Sequence, residues 1–192
     1  MFRLDGKIAL VSGAGRGMGL GVAQCLARQG ATVVVNDFFA DRAEAAALSL
    51  QAEGLSADFA VADMTHRQAI FDMTAKLVQK YGAIDIFVHN AGIPAQGWGY
   101  SKFLESPPEE WDSWLQLNLH GLMHACQAIL PHMIEKNGGA SWPSTLTLLA
   151  RPLAWDCVPM APPRQQPLVL FATCREKWDA MALPQTRCLW AR

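Results

Sequence analysis

Apolar positions along the first two thirds of the chain change period in a regular order. Residues 7–12 (KIALVS) and 31–36 (ATVVVN) are short, nearly continuous apolar runs, the second rich in valine, and both predict buried parallel strands. Between them, residues 16–29 place Met18, Val22, Cys25 and Leu26 at helical spacing, and Gly30 closes the segment as a C-terminal cap would. The order continues with an alanine-rich helix over 39–53, a strand over 57–62, a helix over 67–80 carrying Ile70, Met73, Leu77 and Val78 on one side, and a strand over 84–89. Ser106, followed by Pro107, Pro108, Glu109 and Glu110, predicts a helix start with acids set against the dipole. One long helix then follows over 111–135, its stripe made by Leu115, Leu119, Leu122, Met123, Cys126, Ile129 and Met133. Four strand and helix alternations imply an α/β fold, a doubly wound parallel sheet with right-handed crossovers. Beyond residue 140 only 145–150 and 168–173 read as strands, and neither is followed by a convincing helix, so the sheet is expected to be incomplete at its C-terminal side.

Composition divides the chain in two. All 15 glycines precede residue 140, and the 53 residues from 140 to 192 also lack Ile, Asn, His and Tyr. That tail nevertheless holds four of the seven tryptophans, seven of the eleven prolines and three of the five cysteines. Residues 1–139 carry 10 basic and 14 acidic side chains, net −4, and the tail carries 6 and 3, net +3, which recovers the overall −1. A proline-rich extension is one reading of the tail. Translation in a shifted frame of a GC-rich gene fits its gain of Trp, Cys, Arg and Pro better. The domain division is therefore 1–139, the unit that carries the strand and helix alternation, and 140–192, an atypical tail.

With 51% hydrophobic and 17% charged residues overall, the chain can bury a real core, at least in the part that carries the alternation. No basic block exists to neutralise nucleic-acid phosphates, and no apolar run approaches the ~20 residues of a membrane span. The first residues show no secretory signal, so a cytoplasmic address is expected, and the five scattered cysteines are expected to be reduced.

The chemistry is concentrated where the first strand meets the first helix. Residues 12–19 read Ser-Gly-Ala-Gly-Arg-Gly-Met-Gly, small residues at the place where a backbone must turn sharply, approach a pyrophosphate and open a helix whose amides face the anion. Asp37 follows the second strand, where a carboxylate can accept both hydroxyls of an adenosine ribose and repel a 2′-phosphate, which favours NAD over NADP. Its plainer role is to open a turn. Arg16 suits either cofactor.

These residues, with Asp63-Met64 after the third strand and His89-Asn90-Ala91-Gly92 after the fourth, resemble the classical short-chain dehydrogenase/reductase family from about residue 3 to 139. The resemblance implies a Rossmann-type sheet and an oxidoreductase that moves hydride between a secondary alcohol or ketone and NAD. Gly13, Arg16, Gly17, Met18 and Gly19 would hold the pyrophosphate region and Asp37 the ribose. Asp63 and Met64 would bracket the adenine, Asn90 would brace the sheet, and the backbone of Asn90, Ala91 and Gly92 would lie along the nicotinamide ribose. Asn118 matches the asparagine that holds a water in the family's proton relay; a polar residue on a solvated helix face is the alternative.

The family's remaining machinery is not spelled here. A serine after the fifth strand, and a tyrosine with a lysine four positions on, would polarise the substrate carbonyl and transfer its proton. The only tyrosines are Tyr81 and Tyr100, the only lysine beyond Lys136 is Lys177, and Ser141 and Ser144 stand too early. Tyr100 with Lys102 has the wrong spacing. Loss of that general acid–base pair forfeits roughly 10²- to 10⁴-fold in rate, so the chain is expected to be inactive. A non-catalytic dinucleotide-binding remnant or interaction module is the alternative, and a Rossmann-like methyltransferase is disfavoured by the Asn90-Ala91-Gly92 turn. Members of the family form homo-oligomers through the helix after the fifth strand, which is also missing, so an apolar face is expected to be left open to adventitious association. His120 and His124 stand four apart without an acidic partner, so no metal is expected. Trp98, Trp111 and Trp114 near the substrate mouth are expected mainly to pack.

Overall fold

The computed structural model describes residues 3–92 and 107–136, together with the backbone of 168–171. The expected strand over 145–150, Tyr100, Trp98 and nearly all of the tail lie outside the described residues.

Strands β1 (Ile8–Ser12), β2 (Thr32–Asp37), β3 (Ala57–Val61), β4 (Ile86–His89) and β5 (Leu168–Phe171) form one parallel sheet in the order β3-β2-β1-β4-β5. Helices α1 (Gly17–Arg28), α2 (Ala40–Ala52) and α3 (Arg67–Tyr81) connect the first four strands. This is the doubly wound arrangement that the alternation predicts, with the chain reversing direction across the sheet at β1 and β4. β5 falls within the expected 168–173 and pairs with β4 in the register Ile86 to Leu168 and His89 to Phe171.

The apolar runs hide a two-residue alternation that the structure reveals. Leu10, Val34 and Phe87 face one core, shared with Ile70, Met73 and Leu77 of α3 and with Ile129 and Met133. Their neighbours Ala9, Val11, Val33, Val35, Ile86 and Val88 face the other, closed by Ala23 and Ala27 of α1 and by Ala46 and Leu50 of α2. Successive side chains of a strand point to opposite faces, so a strand covered on both sides reads as continuously apolar.

One element departs from the sequence reading. Instead of a single helix over 111–135, the chain forms α4 (Pro108–Leu115), a π-helical turn (Gln116–Gly121) and α5 (Leu122–Lys136). The cause is tertiary. Gly121 is pressed against the Met64 carbonyl, leaving no room for a side chain, and Gln116 Nε2 donates to the Thr65 carbonyl at 2.9 Å. An extra residue per turn lets the helix meet both anchors.

The amino ends of the strands are fastened by Asp85. Its carboxylate, 7% exposed, accepts the Ile8 amide at 3.0 Å and pairs with Lys136 at 2.9 Å and Lys7 at 3.4 Å. Burial raises its pKa, but the amide and the two ammonium groups outweigh burial and hold it below the ordinary carboxylate value.

Candidate active site and its relatives

The carboxyl ends of β1, β2 and β4 meet at the edge where the chain order reverses, the place where open parallel sheets bind ligands. Gly13 leaves β1 with φ of 60°, and a Cβ there would fall 2.8 Å from Ala91 Cα, so the glycine loop and the turn after β4 are in contact. Gly17 opens α1 with φ of 59° and open space around it. At Gly19 a Cβ would strike the Gly13 carbonyl and stand 2.5 Å from Asn90 Nδ2. Helix α1 has no acid in its first turn, and among the described residues no side chain caps it. Its first amides are thus left for an anion. Arg16, in extended conformation at the cap, and Met18 are exposed beside it.

Ser12 organises the junction of β1 and β4. Its Oγ accepts the Asn90 and Ala91 amides at 3.1 and 3.2 Å and lies 3.2 Å from His89 Nδ1. With both lone pairs of the hydroxyl taken, its proton goes to Nδ1, and His89 is the tautomer protonated at Nε2. Burial pushes the His89 pKa down to about 4, against a smaller opposing effect of the Leu117 backbone. Asn90 Nδ2 completes the lattice by donating to the Gly13 carbonyl at 2.8 Å. The role of Ser12 was not read from the sequence; its only signal is a hydroxyl at the last position of an otherwise apolar strand.

Asp37 ties the loop to β2. One carboxylate oxygen accepts the Gly15 amide at 3.0 Å and the other the Phe39 amide at 3.1 Å, each keeping capacity for a further donor. Asn36 is buried, its amide donating to the Ala60 and Ala62 carbonyls at 3.2 Å and holding β3 to β2.

Asp63 closes a turn after β3, accepting the Thr65 amide at 2.8 Å and hydroxyl at 2.7 Å, with His66 Nδ1 at 2.9 Å. Burial raises its pKa, yet these bonds prevail and lower it. Met64 is buried in the core beneath this turn. Asn118 sits in the π-helical turn and donates to the Gly92 and Trp114 carbonyls, both at 3.0 Å, which brings it to the turn after β4. His120 pairs with Gln116 Oε1 at 2.9 Å.

Tyr81 stands at the opposite edge. Its hydroxyl donates to Asp58 at 2.6 Å, and Lys80 pairs with the same carboxylate at 2.7 Å, near the amino end of β3. Burial first, and then Asp58, raise the phenol pKa, the reverse of what a proton-transferring tyrosine needs.

A family model for short chain dehydrogenases matches residues 7–140. The chain belongs to the short-chain dehydrogenase family. Among its relatives in this family, a gluconate 5-dehydrogenase of Gluconobacter oxydans is 38% identical over 139 residues, covering 72% of this chain and 53% of that protein. A D-threitol dehydrogenase of Mycolicibacterium smegmatis is 40% identical over 146 residues, covering 72% and 52%. The crystal structure of a gluconate 5-dehydrogenase from Burkholderia cenocepacia, in complex with NADP and tartrate, superposes with a TM-score of 0.65 at 37% identity, covering 72% of this chain and 52% of that one. The chain thus spans about half the length of the short-chain dehydrogenases it matches.

Proposed function

We propose that residues 1–139 are an NAD(P)-binding Rossmann domain of a short-chain oxidoreductase, and that residues 140–192 do not supply the catalytic half. The observation that carries this reading is the convergence of the uncapped glycine-rich start of α1, Asp37 and the Asn90–Gly92 turn on one sheet edge. These residues fit a dinucleotide: Gly13, Gly17 and Gly19 keep side chains off the loop, Arg16 and Met18 flank it, and the free amides of α1 receive the pyrophosphate. Asp37 takes the ribose hydroxyls, with NAD preferred over NADP. Asp63 and Met64 border the adenine, and Asn90, Ala91 and Gly92 line the nicotinamide ribose. Asn118 holds the last turn in place and orders water there.

The bound nicotinamide would accept or donate hydride, and the names of the relatives support a secondary alcohol or ketone of small-molecule size as substrate. Removing the alcohol proton needs a base of matched pKa, and Tyr81, fixed to Asp58 at the far edge, does not serve. This chain therefore binds cofactor weakly and does not turn over, and it acts in the cytoplasm as a dinucleotide-binding remnant without the family's oligomer helix.

Titration of the full chain with NADH, followed by nicotinamide fluorescence, should show weak saturable binding. Incubation with NAD and a panel of secondary alcohols should show no rate above the enzyme-free control. A rate above that control refutes inactivity, and the absence of dinucleotide binding refutes the cofactor reading.

A further inference from the structure

β3 ends the described sheet on the side away from β5, and its outer edge is bare. The Ser56 carbonyl accepts the Val33 amide and the Ala62 amide donates to the Asp37 carbonyl. In this register β3 turns the backbone groups of its even-numbered residues to β2 and those of Ala57, Phe59 and Val61 outward. Among the described residues, only the Ala57 carbonyl of that outward row has a partner, Gln51 Nε2 of α2 at 2.7 Å. Exposed edges are commonly guarded by Lys or Pro, and residues 57–61 (ADFAV) contain neither. Their one charge is Asp58, already held by Lys80 at 2.7 Å and by the Tyr81 hydroxyl at 2.6 Å. Ala57 packs on the core beside α2, so by alternation Phe59 and Val61 lie on that face. They are 39% and 47% exposed, and Leu48, one helical turn before Gln51, is 55% exposed.

We propose that β3 is a self-association edge, pairing antiparallel with β3 of a second copy about a two-fold axis at Phe59 and joining the two sheets into one. The outward groups and the charge together select this register. An axis at residue 59 sets Phe59 opposite its own copy and Ala57 opposite Val61, an exchange of up to about six amide–carbonyl bonds. Moving the axis to residue 58 would set the two Asp58 carboxylates face to face, and like charges directly opposite are destabilising. With the axis at 59, each Asp58 faces the small Ala60 of the other copy and brings its own Lys80 ammonium, so the junction is neutral. The exposed apolar row is matched as well: the two Phe59 rings form a cross-strand pair, Val61 meets Ala57 on either side, and Leu48 of each α2 borders the same face. A second copy supplies each of these features without anything not already in the chain. A junction of two five-residue strands falls below the ~1,200 Å² of a standard interface, so the association is weak and reversible.

The test is sedimentation velocity of the full chain from about 1 to 200 µM, the range in which a small interface associates. The parent should pass from monomer to dimer, and Phe59→Lys and Val61→Lys should each weaken dimerisation about tenfold or more, since a cation on an edge strand blocks pairing. Both positions are exposed, and circular dichroism melts check that each variant keeps its fold. Cross-linking reads the register without relying on either variant. Phe59→Cys brings two thiols to strands whose paired Cα atoms stand about 5.5 Å apart, within disulfide reach, whereas Val61 and its copy lie about 13 Å apart along the strands. Under mild oxidation Phe59→Cys should therefore give a covalent dimer well ahead of Val61→Cys and of the parent treated identically. A parent that stays monomeric throughout the range overturns the proposal. So does a dimer undiminished by both lysine substitutions, because another surface then holds it. Equal cross-linking at 59 and 61 overturns the register and the proposal with it.

Discussion

Replacing Ser12 by alanine removes one oxygen and leaves three groups unserved. The Asn90 and Ala91 amides, 3.1 and 3.2 Å from Oγ, lose their acceptor, and His89 Nδ1 loses its donor. A buried amide left without a partner costs ~1–3 kcal/mol. Both amides are part-buried, so the two together amount to about 3 kcal/mol, with water recovering the remainder. That is a large share of the ~5–15 kcal/mol typical of a domain, and in one of this size it lowers Tm by roughly 10 °C. The assay is urea denaturation followed by circular dichroism, with Ser12→Thr as the control that keeps the hydroxyl and suits a strand. Threonine should stay within about 1 kcal/mol of the parent. A Ser12→Ala loss below ~0.5 kcal/mol would refute the claim that one hydroxyl joins β1 to the turn after β4.

Three further outcomes follow from the same geometry. Gly19→Ala should abolish dinucleotide binding and lower Tm, since its methyl would have to displace the Gly13 carbonyl and Asn90; unaltered NADH titration would contradict this. Stability should fall with acid in two stages. His89 titrates at about 4 in the fold against 6.5 unfolded, so its share, about 3 kcal/mol, is present above pH 6.5 and lost between there and pH 4. Asp58, Asp63 and Asp85 have lowered pKa values, so theirs is lost only below the unfolded carboxylate value of 3.8. His89→Asn should flatten the first stage in urea melts taken from pH 7 to 4, and an unchanged slope would refute the assignment. Tyr81→Phe should leave NADH binding untouched and cost about 1 kcal/mol in a urea melt, the net worth of one hydrogen bond to a charged group shared with Lys80.

The alternation of elements was legible in the sequence because each strand is buried on both faces and each of the first three helices on one, so both periods are written locally. The positions of Gly13, Gly17, Asp37 and Asn90 at the sheet edge were legible for the same reason, each standing at a fixed offset from a strand end. The π-helical turn was not, since it arises from Gly121 meeting Met64 and from Asn118 reaching Gly92, contacts between segments 26 or more residues apart. Ser12 and Asn36 escaped notice likewise. A serine and an asparagine have no local signature when their partners are strand-end amides or carbonyls of a neighbouring strand.

The clasp between Lys136 and Asp85 returns the chain, at the end of α5, to the side of the sheet from which a parallel strand must set out, and Leu168 starts beside Ile86 on that same side. Position 136 is therefore a natural splice point. The carboxyl-terminal half of an active relative could be joined there through a short connector, and alcohol oxidation by the hybrid would measure how much of a working enzyme the amino-terminal unit can support.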